Sequence, residues 1–241
     1  MSAKVLLDSS RLAKIFNRQA AKLIDNNFHY LAGDNDQEFL KGLETLGSEI
    51  KKMEDREFHR DALPLLIVIP RRTIQLRYQV AKLKVDGRKG FMDAGVVDNT
   101  LPPSHDLYVI FDVEAGHGQK EGDPSDHAGS FNIRGRRGLS IEEGVALAFQ
   151  DEQVFDGRRY LYLLGADEKI MRFRSNLTHK NKSRVYPALM NSDNGPGLVY
   201  SNPKDNKHFS HSVPSRPANE IIYYDFPKSI VMGIKSRHTT F

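Results

Sequence analysis

The chain contains no cysteine and no tryptophan among its 241 residues. Without cysteine the protein has no thiol nucleophile, no disulfide and no thiolate zinc site. Long apolar runs are also missing, since the longest extends from Leu63 to Ile69 and is interrupted by Pro64. A membrane-spanning helix needs about 20 apolar residues, and the N-terminal stretch lacks the apolar core of a signal peptide. These absences predict a soluble, cytoplasmic protein without a membrane partner.

The composition is that of an ordinary globular protein, with 39% hydrophobic and 27% charged residues. A chain of this length can bury a substantial core, and one domain can reach about 250 residues. We therefore predict a single globular domain over residues 1–241, with a helical part at 1–60 and a sheet-rich part at 61–241. Lys plus Arg number 35 and Asp plus Glu 31, so the net charge is +4. This small excess permits an anionic partner without requiring one.

Two amphipathic helices are predicted at the N-terminus. The first follows the N-cap candidates Asp8, Ser9 and Ser10, shows apolar residues at helical spacing, and ends near Asn26-Asn27. The second begins at residues 34–36, where Asn35 and Glu38 suggest a capping box. Gly42 and Gly47 lower its intrinsic stability by about 1 kcal/mol each. Packing must therefore hold this second helix.

The pattern changes to short apolar runs after residue 62. Leu65 to Ile69 predicts a central strand buried on both faces, and Leu107 to Val113 predicts a second strand. The Asp-Gly step in residues 84–88 predicts a tight hairpin. Residues 73–83 are compatible with either a helix or a strand. Residues 114–138 are polar and glycine-rich, which predicts a long loop. Ser140 and Glu143 form a capping box that opens a third helix. Further strands are predicted at Tyr160–Leu164, Val185–Met190, Leu198–Tyr200, Ile221–Tyr224 and Ile230–Ile234.

Helices followed by strands favour an α+β class over regular βαβ alternation. The predicted architecture has two N-terminal amphipathic helices packed on a mixed, largely antiparallel sheet, with a further helix from about Ser140.

Several segments occur together in a recognisable order: FNRQAAKLIDNNFHYLAG, LPLLIVIP, VDGRKGFMDAG, LYVIFDVEAG, RGLSIEEGVALAF, YLYLLGA and VYPALMNSDNGPGLVYSNP. In this order they resemble an uncharacterised conserved bacterial family, a domain of unknown function, over about residues 11 to 210. LSIEEGVALAF is the most specific segment and resembles the central signature of that family. The resemblance implies one globular unit in a bacterial cytosol and brings no activity, cofactor or catalytic residue.

The chain departs from the family pattern in its C-terminal half. It lacks the tryptophan and cysteine that the family carries there, the stretch 167–184 is longer and more basic, and roughly the last 25 residues resemble an addition. Any function that depends on that end does not follow from the resemblance.

Familiar catalytic motifs are missing, since the sequence contains no G-x-S-x-G elbow, no P-loop and no G-x-G-x-x-G after a strand. No cofactor is therefore predicted. Asp112 and Glu114 at the end of a strand suggest acid–base or metal chemistry, together with the loop histidines His117 and His127. The spacing of these residues matches no known ligand motif, and a plain solvated loop explains the histidines better than a metal site does.

Basic residues are concentrated in two places. Arg134, Arg136 and Arg137 precede the helix that Ser140 opens, where helix N–H groups and guanidinium groups together suit a phosphate or carboxylate. Residues 169–184 contain six basic residues and no acid, among which we assign these to the same anion-binding surface: Arg172, Arg174, Lys180, Lys182 and Arg184.

Two functions remain open. The sequence favours a non-enzymatic protein that binds nucleic acid or another polyanion through the arginine-rich segments. The alternative is a metal-dependent hydrolase that uses Asp112, Glu114 and the loop histidines.

Overall fold

The structure is a computed structural model. It describes residues 3–93, 96, 105–116, 124, 131, 133–155, 159–165, 186–203 and 210–227. The predicted strand Ile230–Ile234 and most of the predicted loop 114–138 lie outside these residues.

The helices of the described residues lie mainly in the first third of the chain, and one lies in its central part. They are α1 (Ser9–Asp25), α2 (Phe28–Leu31), α3 (Asp36–Lys51), α4 (Leu76–Val80) and α5 (Ile141–Gln150), with 3₁₀ turns at Gly33–Asn35 and Glu152–Phe155. None of these helices is long and apolar enough to cross a membrane, a finding that covers the described residues only.

Strands begin at the N-terminus and recur along the rest of the chain. The first seven are β1 (Lys4–Leu7), β2 (Arg56–His59), β3 (Leu63–Val68), β4 (Lys84–Val85), β5 (Arg88–Lys89), β6 (Phe91–Met92) and β7 (Leu107–Val113). The others are β8 (Arg136–Gly138), β9 (Arg159–Tyr162), β10 (Tyr186–Ser192), β11 (Gly195–Ser201), β12 (Ser210–Ser212), β13 (Ser215–Pro217) and β14 (Ile221–Tyr224). Most strand pairs are antiparallel, and the α+β prediction is confirmed.

Local signals place the first helix where the sequence predicts it. The Asp8 side chain caps α1 by accepting a hydrogen bond of 2.7 Å from the Arg11 amide. Asn26 ends the helix, and Asn27 follows in the left-handed region with φ of 60°.

The capping box predicted for α3 is wrong. Asn35 is the N-cap, but it has φ of −100° and ψ of 18° at the end of a 3₁₀ turn and makes no side-chain cap bond. A cap side chain reaches the first turn from extended backbone, which Asn35 lacks. Glu38 instead accepts a hydrogen bond from the Tyr224 hydroxyl at 3.0 Å.

A three-stranded antiparallel sheet with the order β14-β7-β3 carries the main core. Leu65 through Ile69 are all buried, as predicted, but β3 is an edge strand and β7 occupies the centre. The expectation of a central β3 is therefore wrong. A continuous apolar run predicts burial on both faces of a strand and says nothing about how many strands pair with it. The helices α1 and α5 pack on β3, and α3 packs on β7 and β14.

A second sheet has the order β12-β9-β10-β11-β6. The predicted hairpin is confirmed as the β4–β5 pair, with φ of 51° at Asp86 and 78° at Gly87, as a type I′ turn requires. The ambiguous stretch before it contains α4. At α5 the capping box of Ser140 and Glu143 is also confirmed. Nearby, β8 pairs with β13.

Candidate active site

The site begins at Asp112, near the end of the central strand β7. Asp112 has φ of 51°, although it lies inside a strand between the register pairs Leu63–Val113 and Leu65–Phe111. Aspartate tolerates the left-handed region better than most residues, but the conformation still costs free energy. Such strain concentrates at functional sites. The positive φ of Asp112 also interrupts the regular alternation by which successive side chains of β7 point to opposite faces of the sheet.

The Asp112 carboxylate holds His59, the last residue of β2. Its Oδ1 accepts the His59 backbone N–H at 2.8 Å, and its Oδ2 lies 2.6 Å from His59 Nδ1. A carboxylate accepts but does not donate, so the imidazole proton sits on Nδ1 and the Nε2 lone pair is left free in the neutral ring. The His59 side chain is 32% exposed. The arrangement therefore presents an oriented base at the surface.

Arg136 in β8 completes the support of Asp112. Its Nη1 donates to Asp112 Oδ2 at 2.7 Å, and its Nη2 donates to the Asp112 carbonyl at 2.6 Å. The same guanidinium bonds Ser215 in β13 through Nε to Oγ at 3.0 Å and through Nη2 to the carbonyl at 2.9 Å. Arg136 is buried, and the carboxylate of Asp112 neutralises its charge. It fixes the end of β7 against β13.

Glu114 stands beside this pair. Its Oε1 lies 3.8 Å from His59 Nδ1 and 3.7 Å from Arg136 Nη1, and its Oε2 accepts from Ser215 Oγ at 3.4 Å. The Glu114 side chain is 30% exposed. Two carboxylates therefore flank the histidine, one buried and one open to solvent.

Hydrogen bonding keeps Asp112 ionised. Burial by itself raises the pKa of the Asp112 carboxyl, but the hydrogen bonds from the His59 amide and ring and from Arg136 outweigh it. The net result is a pKa below the ordinary value for aspartate. At neutral pH Asp112 is thus a charged acceptor that orients His59.

A second ionic cluster lies at the N-terminus of α5. Glu143 is fully buried and accepts from Arg216 Nε at 3.0 Å and from Arg137 Nη2 at 2.8 Å. Adjacent to it, Glu142 pairs with Arg71, whose Nε lies 2.5 Å from Oε1. Burial, followed by the charges of Glu143 and Glu142, raises the pKa of the neighbouring Tyr108 well above its usual value. Both glutamates are buried and paired with arginines, so we assign this cluster a structural role.

The structure brings together three of the residues singled out from the sequence: Asp112, Glu114 and Arg136. Arg137 is 42% exposed at its side chain and paired with Glu143, whose carboxylate takes the place of an external anion at the α5 N-terminus. Arg134 is exposed. The remaining predicted site residues lie outside the described part of the chain: Arg172, Arg174, Lys180, Lys182, Arg184, His117 and His127.

Two members of the site have no sequence signal of their own. His59 lies 53 residues before Asp112, and Ser215 lies 79 residues after Arg136. Neither belongs to a motif, so only the tertiary structure reveals them.

A metal ion finds no ready-made site among the described residues, which contain no group of three or more potential His, Asp or Glu ligands. Both Asp112 oxygens already accept hydrogen bonds, so a cation there would have to displace Arg136 or His59.

Comparison with protein families matches residues 22–175 to a family of unknown function, DUF5701. The match covers more than half of the chain, so the protein belongs to this family. It includes His59, Asp112, Glu114 and Arg136 and ends before Ser215. Comparisons with curated proteins and with solved structures give no match.

Proposed function

We propose that this member of the DUF5701 family is a hydrolytic enzyme in which His59 is the general base and Asp112 its positioning residue. The observation that carries the proposal is the 2.6 Å contact between Asp112 Oδ2 and His59 Nδ1, made by an aspartate in a strained backbone conformation. A purely structural ion pair between Asp112 and Arg136 would need neither the positive φ nor the half-exposed imidazole.

The roles of the side chains follow from their contacts. His59 Nε2 takes a proton from water as the water oxygen attacks an acyl or phosphoryl centre. The resulting imidazolium returns the proton to the leaving group, so the histidine is unchanged after one turnover. Asp112 holds the Nδ1–H tautomer and stabilises the imidazolium, and Glu114 adds a second negative charge nearby. Arg136 keeps Asp112 in place and ionised.

The proposal keeps part of the hydrolase predicted from the sequence. Asp112 and Glu114 retain their place beside the reacting group, and His59 takes the role first assigned to the loop histidines. Coordination of a metal by His117 or His127 stays a prediction.

Binding of nucleic acid or another polyanion, in a bacterial cytoplasm, also stays a proposal. It now rests on Arg134, which is exposed, and on the basic residues between 169 and 184, because Arg136 and Arg137 are engaged by carboxylates.

The test uses the full-length protein with two chromogenic probes, p-nitrophenyl acetate for acyl transfer and bis(p-nitrophenyl) phosphate for phosphoryl transfer. We expect hydrolysis of at least one probe above the buffer rate, and a fall of about 10²-fold or more in His59→Gln. In His59→Ala, added imidazole should restore part of the rate, because it replaces the missing base.

The matched control is His105→Gln. His105 also pairs with an aspartate through Nδ1, at 3.2 Å from Asp225, but Asp225 is about half exposed and its ion pair with the partly exposed Arg72, at 3.6 Å, is not buried. Hydrolysis should be unchanged in this variant. Equal rates in the wild type and His59→Gln, or equal losses in both variants, would contradict the proposal.

A further inference from the structure

One short segment carries a surface charge that no carboxylate among the described residues neutralises. Residues 76–92 contain α4 and the β4–β5 hairpin and are anchored by four buried side chains: Leu76, Gln79, Val80 and Leu83. Gly90 lies so close to the C-terminus of α4 that an added Cβ would be 1.9 Å from the Val80 carbonyl oxygen. The helix and the hairpin therefore form one packed unit, and Val85 and Met92 also pack against the core.

The exposed side chains of this unit are mostly cationic. The segment 76–92 contains five basic residues and one acid, Asp86, so its net charge of +4 equals that of the whole chain. The basic residues are Arg77, Lys82, Lys84, Arg88 and Lys89, of which Lys82 is half-buried and the others are exposed. Within the described part of the molecule none of the five pairs with a carboxylate; Arg88 donates to the Asp193 carbonyl.

Two of the cations oppose each other directly. Lys84 and Lys89 are register partners across the hairpin, which places their side chains on the same face. Like charges at such positions destabilise a strand pair. No described carboxylate pairs with either lysine. An anionic ligand could therefore bind this hairpin and supply the missing negative charge.

An aromatic ring adjoins one of these cations, Arg77. Tyr78 is 43% exposed, and the Arg77 guanidinium lies 4.7 Å from its ring centroid and donates to its hydroxyl at 3.0 Å. Arg77 covers one face of the ring and limits its motion. An exposed aromatic ring among cations is the arrangement on which unpaired bases stack while phosphates contact the basic side chains.

We infer that this basic surface (Arg77, Tyr78, Lys82, Lys84, Arg88 and Lys89) binds single-stranded nucleic acid. Lys84 and Lys89 contact phosphates, and Tyr78 stacks on a base. A duplex hides its bases from such a ring, so the exposed tyrosine favours a single strand. The surface shares no residue with the His59 site or with residues 169–184, and the inference goes beyond both proposals for those regions.

The experiment is fluorescence anisotropy of the full-length protein with a labelled single-stranded oligonucleotide of about 12 nucleotides, oligo(dT) and oligo(U) in turn. We expect binding at about 50 mM salt that weakens as salt rises, with a loss of about 0.7 log units per phosphate contact per decade of salt. In Lys84→Gln/Lys89→Gln that slope should fall by about 1.4, since two contacts are removed.

Tyr78→Ala tests the stacking contact. We expect it to weaken binding about 5-fold to 100-fold with little change in the salt slope, and Tyr78→Phe to retain most of the affinity. Lys14→Gln/Lys51→Gln is the control, because it removes the same charge from two exposed lysines on α1 and α3. Its salt slope should match the wild type.

Three results would overturn the inference: no binding at about 50 mM salt, an equal loss in the two double variants, or affinity for duplex that equals affinity for single strands and ignores Tyr78→Ala. The last result would identify a general phosphate contact in place of a single-strand site.

Discussion

The charge of Asp112 holds together one buried arginine and one half-exposed histidine. In Asp112→Asn the side chain keeps its shape and its tolerance of positive φ, but Arg136 loses its nearest counter-charge and keeps only Glu114, at 3.7 Å. We expect the free energy of unfolding at pH 7 to fall by about 3–5 kcal/mol, the usual cost of breaking a buried ion pair. Urea unfolding measures this loss.

The same pair makes stability depend on pH in a defined direction. The folded pKa of Asp112 is lowered, so its stabilisation is fully present above the unfolded value of about 3.9 and is lost as pH falls below it. The difference between wild type and Asp112→Asn should therefore shrink below about pH 4. The exposed Asp61→Asn is the control. A difference that stays constant from neutral to acidic pH would refute this role.

Gln19 on α1 satisfies the open edge of β3. Its Nε2 donates to the Leu65 carbonyl at 2.8 Å, and its Oε1 accepts from the Ile67 amide at 3.0 Å, as a neighbouring strand would. Gln19→Leu fills similar volume but leaves two buried backbone groups unpaired. We expect a loss of about 2–6 kcal/mol, because each of the two unpaired groups costs about 1–3 kcal/mol.

Hydrogen–deuterium exchange at the Ile67 amide should also accelerate in Gln19→Leu. The exposed Gln37→Leu on α3 should change neither stability nor exchange, and similar behaviour of the two variants would argue against the edge-pairing role.

At the scale of elements, α3 lies close against the main sheet because the buried residue that faces the sheet, Gly42, has no side chain. A Cβ at Gly42 would stand 2.7 Å from Leu107 Cδ1 and 2.8 Å from Tyr224 Cδ1. Gly42→Ala improves helix propensity by about 1 kcal/mol, but it pushes the helix away from β7 and β14. We expect net destabilisation of about 1–3 kcal/mol by overpacking.

Thermal unfolding distinguishes these two effects. Ser48→Ala, at an exposed position of the same helix, should change stability by no more than about 0.5 kcal/mol. If Gly42→Ala stabilises the protein, the contact with β7 and β14 is not close enough to matter.

At the scale of the whole molecule, Glu143 links parts of the chain that are distant in sequence. It joins α5 to Arg137 in β8 and to the fully buried Arg216 in β13. Glu143→Gln leaves Arg216 without a counter-charge, and we expect a loss of about 3–5 kcal/mol in urea unfolding. Glu57→Gln should cost less than about 1 kcal/mol, because Glu57 and its partner Lys4 are both more than half exposed.

A second variant identifies the cause of the loss at Glu143. Glu143→Leu combined with Arg216→Met removes both buried charges and should recover part of the stability. A double variant as unstable as Glu143→Gln would indicate that the shape of the cluster matters more than its charge.

The sequence by itself determined the features that depend on neighbouring residues. The Asp8 cap, the Ser140–Glu143 capping box, the Asp86-Gly87 turn and the buried runs of β3 and β7 are all short-range, so residue type and spacing suffice to predict them. One local prediction, the capping box of Asn35 and Glu38, was wrong. Asn35 ends a 3₁₀ turn and lacks the extended backbone from which its side chain could cap α3.

Only the tertiary structure decided how these elements meet. Strand order placed β7 in the centre and left the edge of β3 to Gln19, and tertiary packing of distant segments brought His59 and Arg136 to Asp112. Contacts between side chains that are far apart in the sequence produce no periodic pattern from which they could be predicted. The partners of a charged side chain in space decide whether its charge is free or neutralised. The sequence therefore predicts Arg136 as part of an anion-binding surface, although the fold buries it.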